Sequence, residues 1–337
     1  MPFMSRVTSL TSMPEAQLNR WIKRLALLLF VGIVAFVAFY AVDRFRAPAP
    51  SIVDREMAAV EEAVRTDPTD IASRGRLGDL YFAAGRYDDA IAQYSEIIKT
   101  GKRDEAAYIS RGLALQKTGD VDGAAADFAK VVEIAKDTEQ ANVDPMLQTA
   151  YYGLGEIALQ QDRADEAVEN LLRALAIKRT DADAMNLLGA AYVKAGEPEK
   201  AFEPLRKAIL FVPTGWPDPY RSLAAAYTAT GDTAEAEWAD AMAAAMAVIA
   251  AGEASAPADS VARLEAIADG DAGIDARIGL GLLAEASGDP TTAATWYAKA
   301  LELDAESQAA QLGLSRVSDG TQGHPNVMPS PSAEGSN

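Results

Sequence analysis

The side chains that could carry out catalysis are few and scattered in this 337-residue chain. The single histidine, His324, lies beside Pro325 in a segment rich in Ser, Pro, Gly and Asn, where a solvated side chain is expected and not a base or metal ligand. The chain has no cysteine, which excludes disulfides, lipid attachment at a cysteine and thiolate metal sites. No glycine-rich phosphate loop follows a strand, because no alternating Val/Ile/Thr-rich run predicts a strand.

Carboxylates are the one abundant group with catalytic potential, since the chain has 49 Asp and Glu residues. Paired carboxylates could perform general acid–base chemistry if a pocket held them together. No recognisable nucleophile, base and oxyanion-stabilising group accompany them, so we predict no enzyme activity, catalytic residue, cofactor or metal site. An enzyme with an unrecognised site is the most distant alternative. Helix capping and the helix dipole explain acidic residues at predicted helix starts, such as Asp88, Asp120, Asp232 and Asp289.

Charge is distributed unevenly along the chain, whose formal net charge is −18. The first 46 residues carry 6 basic and 2 acidic side chains, which leaves 25 basic and 47 acidic side chains for the remainder. Such an acidic surface repels phosphate backbones and anionic lipid, so we expect no nucleic-acid partner. Two interpretations of the acidity stay open: a solubilising exterior, or a surface that binds a partner with a basic segment.

A recurring helical hairpin must position any binding residues. Small residues twelve apart recur six times, and five of the six units have a glycine seven residues after the first member, where the turn needs positive φ. First members lie 34, 43, 34, 35 and 57 residues apart, so two insertions interrupt a period near 34. Short helices pack closely only where side chains are small, which predicts contact between Gly189 and Ala201. The six pairs are Gly78/Ala90, Gly112/Ala124, Gly155/Ala167, Gly189/Ala201, Ala224/Ala236 and Gly281/Ala293.

This pattern resembles the tetratricopeptide repeat family, over roughly Val53 to Val317. The resemblance implies an all-α solenoid of stacked helical hairpins that binds proteins or peptides. Aromatic residues at the family's positions are Tyr81, Tyr192, Tyr227, Phe128 and Tyr297. Within a solenoid at 53–317, six repeats flanked by capping helices are predicted at about 71–104, 105–138, 148–181, 182–215, 217–250 and 274–307.

An apolar segment near the N-terminus predicts a single transmembrane helix. Residues 25–42 are eighteen uncharged, strongly apolar residues, enough with their immediate neighbours to span a bilayer. A cleavable signal peptide is the alternative. The apolar run is longer than a usual signal core, however, and Phe39 occupies the −3 position of the one plausible cleavage site, at Ala41. An uncleaved anchor, as in the membrane-anchored bacterial members of the family, is therefore favoured.

Positive charge on the two sides of this segment predicts its orientation. Four Lys or Arg residues precede it and three follow it, which favours a cytoplasmic N-terminus. We therefore predict a cytoplasmic tail at 1–20, a transmembrane helix at 21–43 and a linker at 44–52. The solenoid then lies on the extracytoplasmic side of the cell membrane, and the opposite topology is the runner-up. Residues 318–337 are predicted to form a disordered tail.

Two intervals in the array are longer than a repeat. The first holds the polar, acidic loop Asp137 to Pro145, which is either a solvated spacer or a partner-contact loop. In the second, residues 234–251 predict one long helix and residues 260–268 another, which together form a degenerate, alanine-rich hairpin. Residues 306–317 predict a closing helix.

The resemblance also implies where a partner binds. In this family the first helix of each hairpin lines the concave surface, and five of its positions face the ligand. Gly75 and Asp79 replace the lysine and asparagine with which chaperone-cofactor members clamp a carboxylate, so a chaperone-tail receptor is not expected. The cysteine pairs of the membrane-tethered regulators of lipopolysaccharide synthesis are missing too. The predicted groove residues are Phe82, Ile109, Leu113, Gln116, Lys117, Tyr152, Glu156, Asn186, Val193, Lys194 and Arg221.

Three of these residues, Tyr152, Asn186 and Arg221, occupy the fifth position of three successive first helices and should form a row. Tyr and Arg frequently anchor interfaces, and Asn can bond a peptide backbone; an ordinary solvated surface is the other interpretation. The sequence thus predicts a membrane-anchored scaffold or assembly factor for protein or peptide partners, without a small-molecule substrate. The similar bacterial proteins assist secretion or cytochrome maturation, and the residues do not choose between these.

Overall fold

The computed structural model describes residues 14–45, 51–101, 104–252, 258–270 and 272–318. Every regular element in this part of the chain is a helix, and it contains no strand, as the sequence predicts. Several predictions concern residues outside it. They are the position of His324, the disordered tail from residue 319 onward, the cytoplasmic tail up to residue 13 and residues 46–50 of the linker.

The first of the two compact units into which the chain divides, residues 1–59, contains the long helix α1 (Glu15–Phe45). The stretch from Gln17 to Tyr40 is long and apolar enough to cross a membrane, and none of it is buried within the protein. At 1.5 Å per residue, these 24 residues rise roughly 36 Å, more than the ~30 Å hydrocarbon core of a bilayer. The predicted span at 21–43 therefore lies within one continuous helix.

The second unit starts at Val60, within α2 (Ile52–Thr66), and its described part, up to Ser318, is a succession of short helices. Two short 3₁₀ turns, Ala141–Val143 and Pro198–Ala201, interrupt them. The helices from α2 onward are α2 (Ile52–Thr66), α3 (Ile71–Ala83), α4 (Tyr87–Lys99), α5 (Glu105–Thr118), α6 (Val121–Ala135), α7 (Pro145–Gln160), α8 (Ala164–Ile177), α9 (Ala182–Lys194), α10 (Phe202–Phe211), α11 (Asp218–Thr230), α12 (Thr233–Ala250), α13 (Ala258–Ile267), α14 (Gly273–Ala286), α15 (Pro290–Leu303) and α16 (Gln308–Ser318).

These helices pack as stacked hairpins. Helix α3 pairs with α4, α5 with α6, α7 with α8, α9 with α10, α11 with α12, and α14 with α15. In the first five hairpins, the second helix of each also packs on the first helix of the next. The first helices α3, α5, α7, α9 and α11 lie side by side, and we call the surface that they form the first-helix face. The predicted all-α solenoid is confirmed.

A glycine in the first helix of most hairpins makes room for a large side chain sixteen residues later. A Cβ added at Gly189 would lie 2.3 Å from Cγ of Leu205, far inside van der Waals contact. Leu205 therefore fills the space beside Gly189, and Ala201, the predicted contact residue, is fully buried in the same cluster. The same relation joins Gly78 to Tyr94, Gly112 to Phe128, Gly155 to Leu171 and Gly281 to Tyr297.

Helix starts and turns mostly follow the predicted chemistry. Asp120 and Asp289 are N-caps, and each carboxylate accepts a hydrogen bond from a backbone N–H in the first turn. Asp232 occupies the N-cap of α12 but makes no such bond, and Asp88 lies within the first turn of α4. In the third hairpin, Asp162 adopts a φ of 55° at the turn where the other hairpins have glycine.

The fifth hairpin departs from the predicted register. Ala236, the predicted crossing residue of α12, is half-buried, and Asp240 is exposed where other hairpins place the large side chain. Trp238 and Met242 are buried instead. Alanine covers so much of the circumference of α12 that the sequence carries no clear helical period from which to infer the buried side. In the sequence, α13 stands between this hairpin and α14. This extra helix accounts for the interval of 57 residues between Ala224 and Gly281.

Candidate functional site

Side chains on the first-helix face form a row of polar groups across four successive first helices. The row begins between α5 and α7, where Nε2 of Gln116 donates to Oε2 of Glu156 over 3.1 Å. The two residues are 40 positions apart, so only the stacking of the hairpins brings them together. Both were predicted from the repeat pattern as groove residues, and the structure places them in contact.

Tyr152 lies one helical turn before Glu156 on α7 and is half-buried. Its side chain packs against two neighbouring clusters of buried apolar residues. Burial raises the pKa of the Tyr152 phenol, and the carboxylates of Glu156 and Asp183 raise it further. The phenol therefore stays protonated near neutral pH and offers the face an apolar ring with a neutral hydroxyl.

Carboxylates make the middle of the row acidic. Burial raises the pKa of Asp183, repulsion from Asp181 raises it further, and Lys178 opposes both. Asp218 and Glu156 also repel the Asp183 carboxylate, so acids on α7, α9 and α11 lie close enough to interact. In the described part of the chain, no group of three or more acidic or histidine side chains could hold a metal ion.

Asn186 and Arg221 continue the row towards α11. Asn186 is buried, and its Oδ1 accepts a hydrogen bond from Oγ of Ser222 over 3.1 Å. Arg221 is exposed, and its Nη1 donates to Oδ1 of Asp218 over 2.6 Å. Because an exposed ion pair of this kind is worth at most about 1 kcal/mol, a partner can exchange it at little cost. Asn186 therefore holds α9 against α11, and Arg221 presents the accessible charge.

Three other predicted groove residues use their side chains for packing. Ile109 and Val193 are half-buried and contact the hydrophobic core of their own part of the solenoid. Phe82 stacks edge to face on Tyr87, with ring centroids 5.4 Å apart. These residues stabilise the hairpins that carry the row, and the structure does not bring them together with it.

The last three predicted groove residues lie near the helix ends or on the exposed side of α5. Nζ of Lys194 binds the carboxylate of Asp162 and the main-chain carbonyl of Leu159, so it closes the turn of the preceding hairpin. Leu113 and Lys117 are exposed on α5. None of these contacts joins the polar row.

Asp183, Asp218 and Ser222 belong to the row but were not among the predicted groove residues. Asp183 and Asp218 stand in the first turns of α9 and α11, where an acidic residue is already explained by the helix dipole. The signal that could have found them is spacing. Each precedes a predicted row residue by three positions, Asn186 in one helix and Arg221 in the next, which places it on the same helical face.

Comparison with known families agrees with this architecture. Family models described as tetratricopeptide repeat match residues 76–139, 146–209 and 274–307. The chain is a tetratricopeptide repeat protein. The first two matched segments contain α5, α7 and α9 of the polar row. Helix α11, which contributes Arg221 to this tetratricopeptide repeat protein, lies between the second and third matches.

Several solved structures are similar to parts of this tetratricopeptide repeat protein. A crystal structure of MamA is 27% identical, with a TM-score of 0.46, and covers 52% of this chain and 98% of its own. MamA from Desulfovibrio magneticus RS-1 is 22% identical, with a TM-score of 0.46, and covers 52% of this chain and 93% of its own. A tetratricopeptide repeat protein from Parabacteroides merdae is 15% identical, with a TM-score of 0.44. The match covers 78% of this chain and 91% of the other. No curated protein matches the chain.

Proposed function

We propose that this tetratricopeptide repeat protein is a membrane-anchored scaffold or assembly factor that binds a protein or peptide segment on its first-helix face. The observation that carries the proposal is the polar row that crosses α5, α7, α9 and α11. Its members come from four hairpins, and contacts between hairpins such as Gln116 with Glu156 and Asn186 with Ser222 hold them in register. A row of this length suits an extended or helical peptide and exceeds what a small substrate needs.

The charges of the row favour a partner segment that carries positive charge. Glu156 and Asp218 both lie close enough to Asp183 to repel its carboxylate. Arg221 supplies an exposed positive charge in the row. A basic side chain of the partner would relieve the repulsion around Asp183, a partner carboxylate would pair with the exposed Arg221, and Tyr152 would supply apolar contact. This choice favours the basic-partner interpretation of the chain's acidity over a purely solubilising one.

Anchoring by α1 gives the scaffold its place in the cell. The apolar stretch Gln17–Tyr40 is exposed along its whole length, which suits a lipid environment. The excess of positive charge before its apolar core at 25–42 supports a cytoplasmic N-terminus and an extracytoplasmic solenoid. The alternative is a scaffold that faces the cytoplasm. In both cases the protein holds its partner and catalyses no reaction.

Paired substitutions on the row test this function. Tyr152→Ala with Arg221→Ala should lower the recovery of crosslinked partner from native membranes at least tenfold, or about 1.4 kcal/mol in binding free energy. Tyr152 also packs against the core, so recovery is compared at a temperature at which circular dichroism shows the variant fully folded. Added salt should weaken binding partly, because the row combines charge with apolar contact.

A matched control is available on the second helices. Arg173 on α8 is exposed and pairs with Glu169, as Arg221 pairs with Asp218, but it lies off the first-helix face. Arg173→Ala should leave partner recovery unchanged. If the parent and the folded double variant recover the partner equally, the partner does not bind the row. The loop at 137–145 would then be the candidate site.

A further inference from the structure

A cavity of about 420 Å³ opens where the regular spacing of the hairpins breaks down. Its lining comes from α10, α11, α12, α14 and the start and end of α16. These helices belong to the fourth, fifth and sixth hairpins and the closing helix, and they meet here because α13 is inserted between α12 and α14. The cavity lies on different helices from the polar row, apart from α11.

Most of the cavity wall is apolar. On α14 the wall includes Gly279, where an added Cβ would lie 2.6 Å from Sδ of Met242, so the glycine brings the two helices together at the cavity wall. A cavity of this volume with a mostly apolar wall is typical of a ligand site. The apolar side chains that line it are Ile209, Leu210, Leu223, Met242, Ile278 and Leu282.

Two aromatic side chains in the wall have polar groups without partners. Tyr220 is 1% exposed, and its hydroxyl makes no hydrogen bond to another residue of the described chain. The indole N–H of Trp238 is buried and also lacks a partner in that part of the protein. The two rings meet edge to face with centroids 5.9 Å apart. Because Tyr220 lines the cavity and an unsatisfied donor in a buried side chain is unfavourable by about 1–3 kcal/mol, its free hydroxyl points to an absent acceptor in the cavity.

The charged groups at the cavity already have partners, including Arg316, whose Nε lies 2.9 Å from Oε1 of Glu285 on α14. Nη2 of Arg206 donates to the Tyr227 hydroxyl over 2.8 Å and reaches Oδ2 of Asp275 at 3.4 Å. Burial raises the pKa of Asp275, and Arg206 opposes that rise. Glu203 pairs with Lys207 in the same way at the exposed edge of α10. An additional ion in the cavity would therefore be buried without a counter-charge of its own, which is strongly unfavourable.

We propose that this cavity binds an uncharged amphipathic small molecule with an apolar body and one hydroxyl or carboxamide group. The apolar body fills the space between the aliphatic side chains of α10, α11 and α14. The polar group accepts a hydrogen bond from the Tyr220 hydroxyl and donates one to the Asp275 carboxylate, because a hydroxyl or carboxamide does both. The protein binds this molecule without converting it, so the prediction of no small-molecule substrate is unaffected.

Three probes of equal chain length test the proposal on the full-length protein in lipid nanodiscs. Hexanamide, hexanoate and hexylammonium differ in charge and share an apolar chain. Saturation-transfer NMR should show hexanamide binding at least tenfold more tightly than either charged probe. Ile278→Trp, which fills the cavity, should weaken hexanamide binding at least tenfold, and Tyr220→Phe should weaken it severalfold. Leu172→Trp adds the same ring at an exposed leucine of α8 and should have no effect.

Each other result overturns the proposal. Tighter binding of hexanoate or hexylammonium would show that the site selects an ion. Equal signals from the parent and the Ile278→Trp variant would show partition into lipid only. If no probe binds but Ile278→Trp reduces partner recovery, the cavity accepts a side chain of the protein partner instead. If Ile278→Trp fails to fold, the Tyr220→Phe variant provides the test. Unchanged hexanamide binding by that variant would show that the Tyr220 hydroxyl does not contact the ligand.

Discussion

At Gly189 the two helices of the fourth hairpin approach so closely that no side chain fits between them. A Cβ at that position would lie 2.3 Å from Cγ of Leu205, which is itself fully buried. Gly75 on α3 is a useful contrast, because a Cβ there would be 3.9 Å from Ile97, at ordinary contact distance. Both glycines are helical, so they differ in the space around them and not in their backbone.

Alanine at these two glycines should therefore have opposite effects. Gly189→Ala should lower the free energy of unfolding by about 1–3 kcal/mol through overpacking. Gly75→Ala should raise it by roughly 0.5–1 kcal/mol, because glycine is unfavourable within a helix. Urea denaturation followed by far-UV circular dichroism measures both.

The clash at Gly189 can be isolated by removing its cause. In a Leu205→Ala background the added Cβ meets no branched side chain, so Gly189→Ala should no longer destabilise the protein. A destabilisation of the same size in both backgrounds would mean that Leu205 does not set the helix crossing.

Residue-scale prediction from the sequence succeeded where packing repeats and was incomplete where a contact depends on how two helices are rotated or stacked against each other. The repeated glycines could be found because each hairpin needs the same gap. The sequence does not single out Leu205 as the side chain that fills this gap, because a spacing of sixteen links two helices whose relative rotation no local pattern states. Ser222 was missed because its contact with Asn186 depends on how neighbouring hairpins stack.

At the scale of elements, helix starts provide a direct comparison between hairpins. Asp120, Asp232 and Asp289 occupy the same position of the second, fifth and sixth hairpins and precede α6, α12 and α15. Asp120 and Asp289 accept a hydrogen bond from a first-turn N–H. The carboxylate of Asp232 instead accepts a hydrogen bond from Thr230. The same residue in the same place therefore caps two helices and leaves one without a side-chain cap.

Alanine substitution should separate the capping bond from the effect of charge alone. Asp120→Ala and Asp289→Ala should each lower the free energy of unfolding by about 1 kcal/mol through loss of the cap. Asp232→Ala should lower it by only roughly 0.3 kcal/mol through the helix dipole. Equal losses at all three positions in urea denaturation would show that the capping bonds do not distinguish these helices.

Element boundaries were predictable and element packing was only partly so. The sequence predicts helices at 234–251 and 260–268, and the structure has α12 and α13 there. The buried side of α12 could not be predicted, because alanine weakens the contrast between its faces and only Trp238 and Met242 mark the packed side. The cavity beside Trp238 and Met242 results from that packing, so no local sequence pattern predicts it.

At the scale of the whole molecule, the chain combines a lipid-compatible helix with an acidic array of repeats. The proposed topology follows from the charges on either side of residues 25–42 of α1. A phosphatase reporter fused after Val317 should be active, and a fluorescent protein that matures only in the cytoplasm should stay dark. The same reporters placed ahead of Met1 should give the reverse pattern. An active cytoplasmic reporter and an inactive phosphatase after Val317 would establish the opposite topology.

Photocrosslinking in native membranes shows whether a partner binds the first-helix face. A photoreactive phenylalanine at Arg221 should give a discrete, light-dependent adduct with a partner protein. The same residue at Arg173, equally exposed but on a second helix, should give none. An adduct from position 173 with none from position 221, or the same adduct from both, would contradict the account.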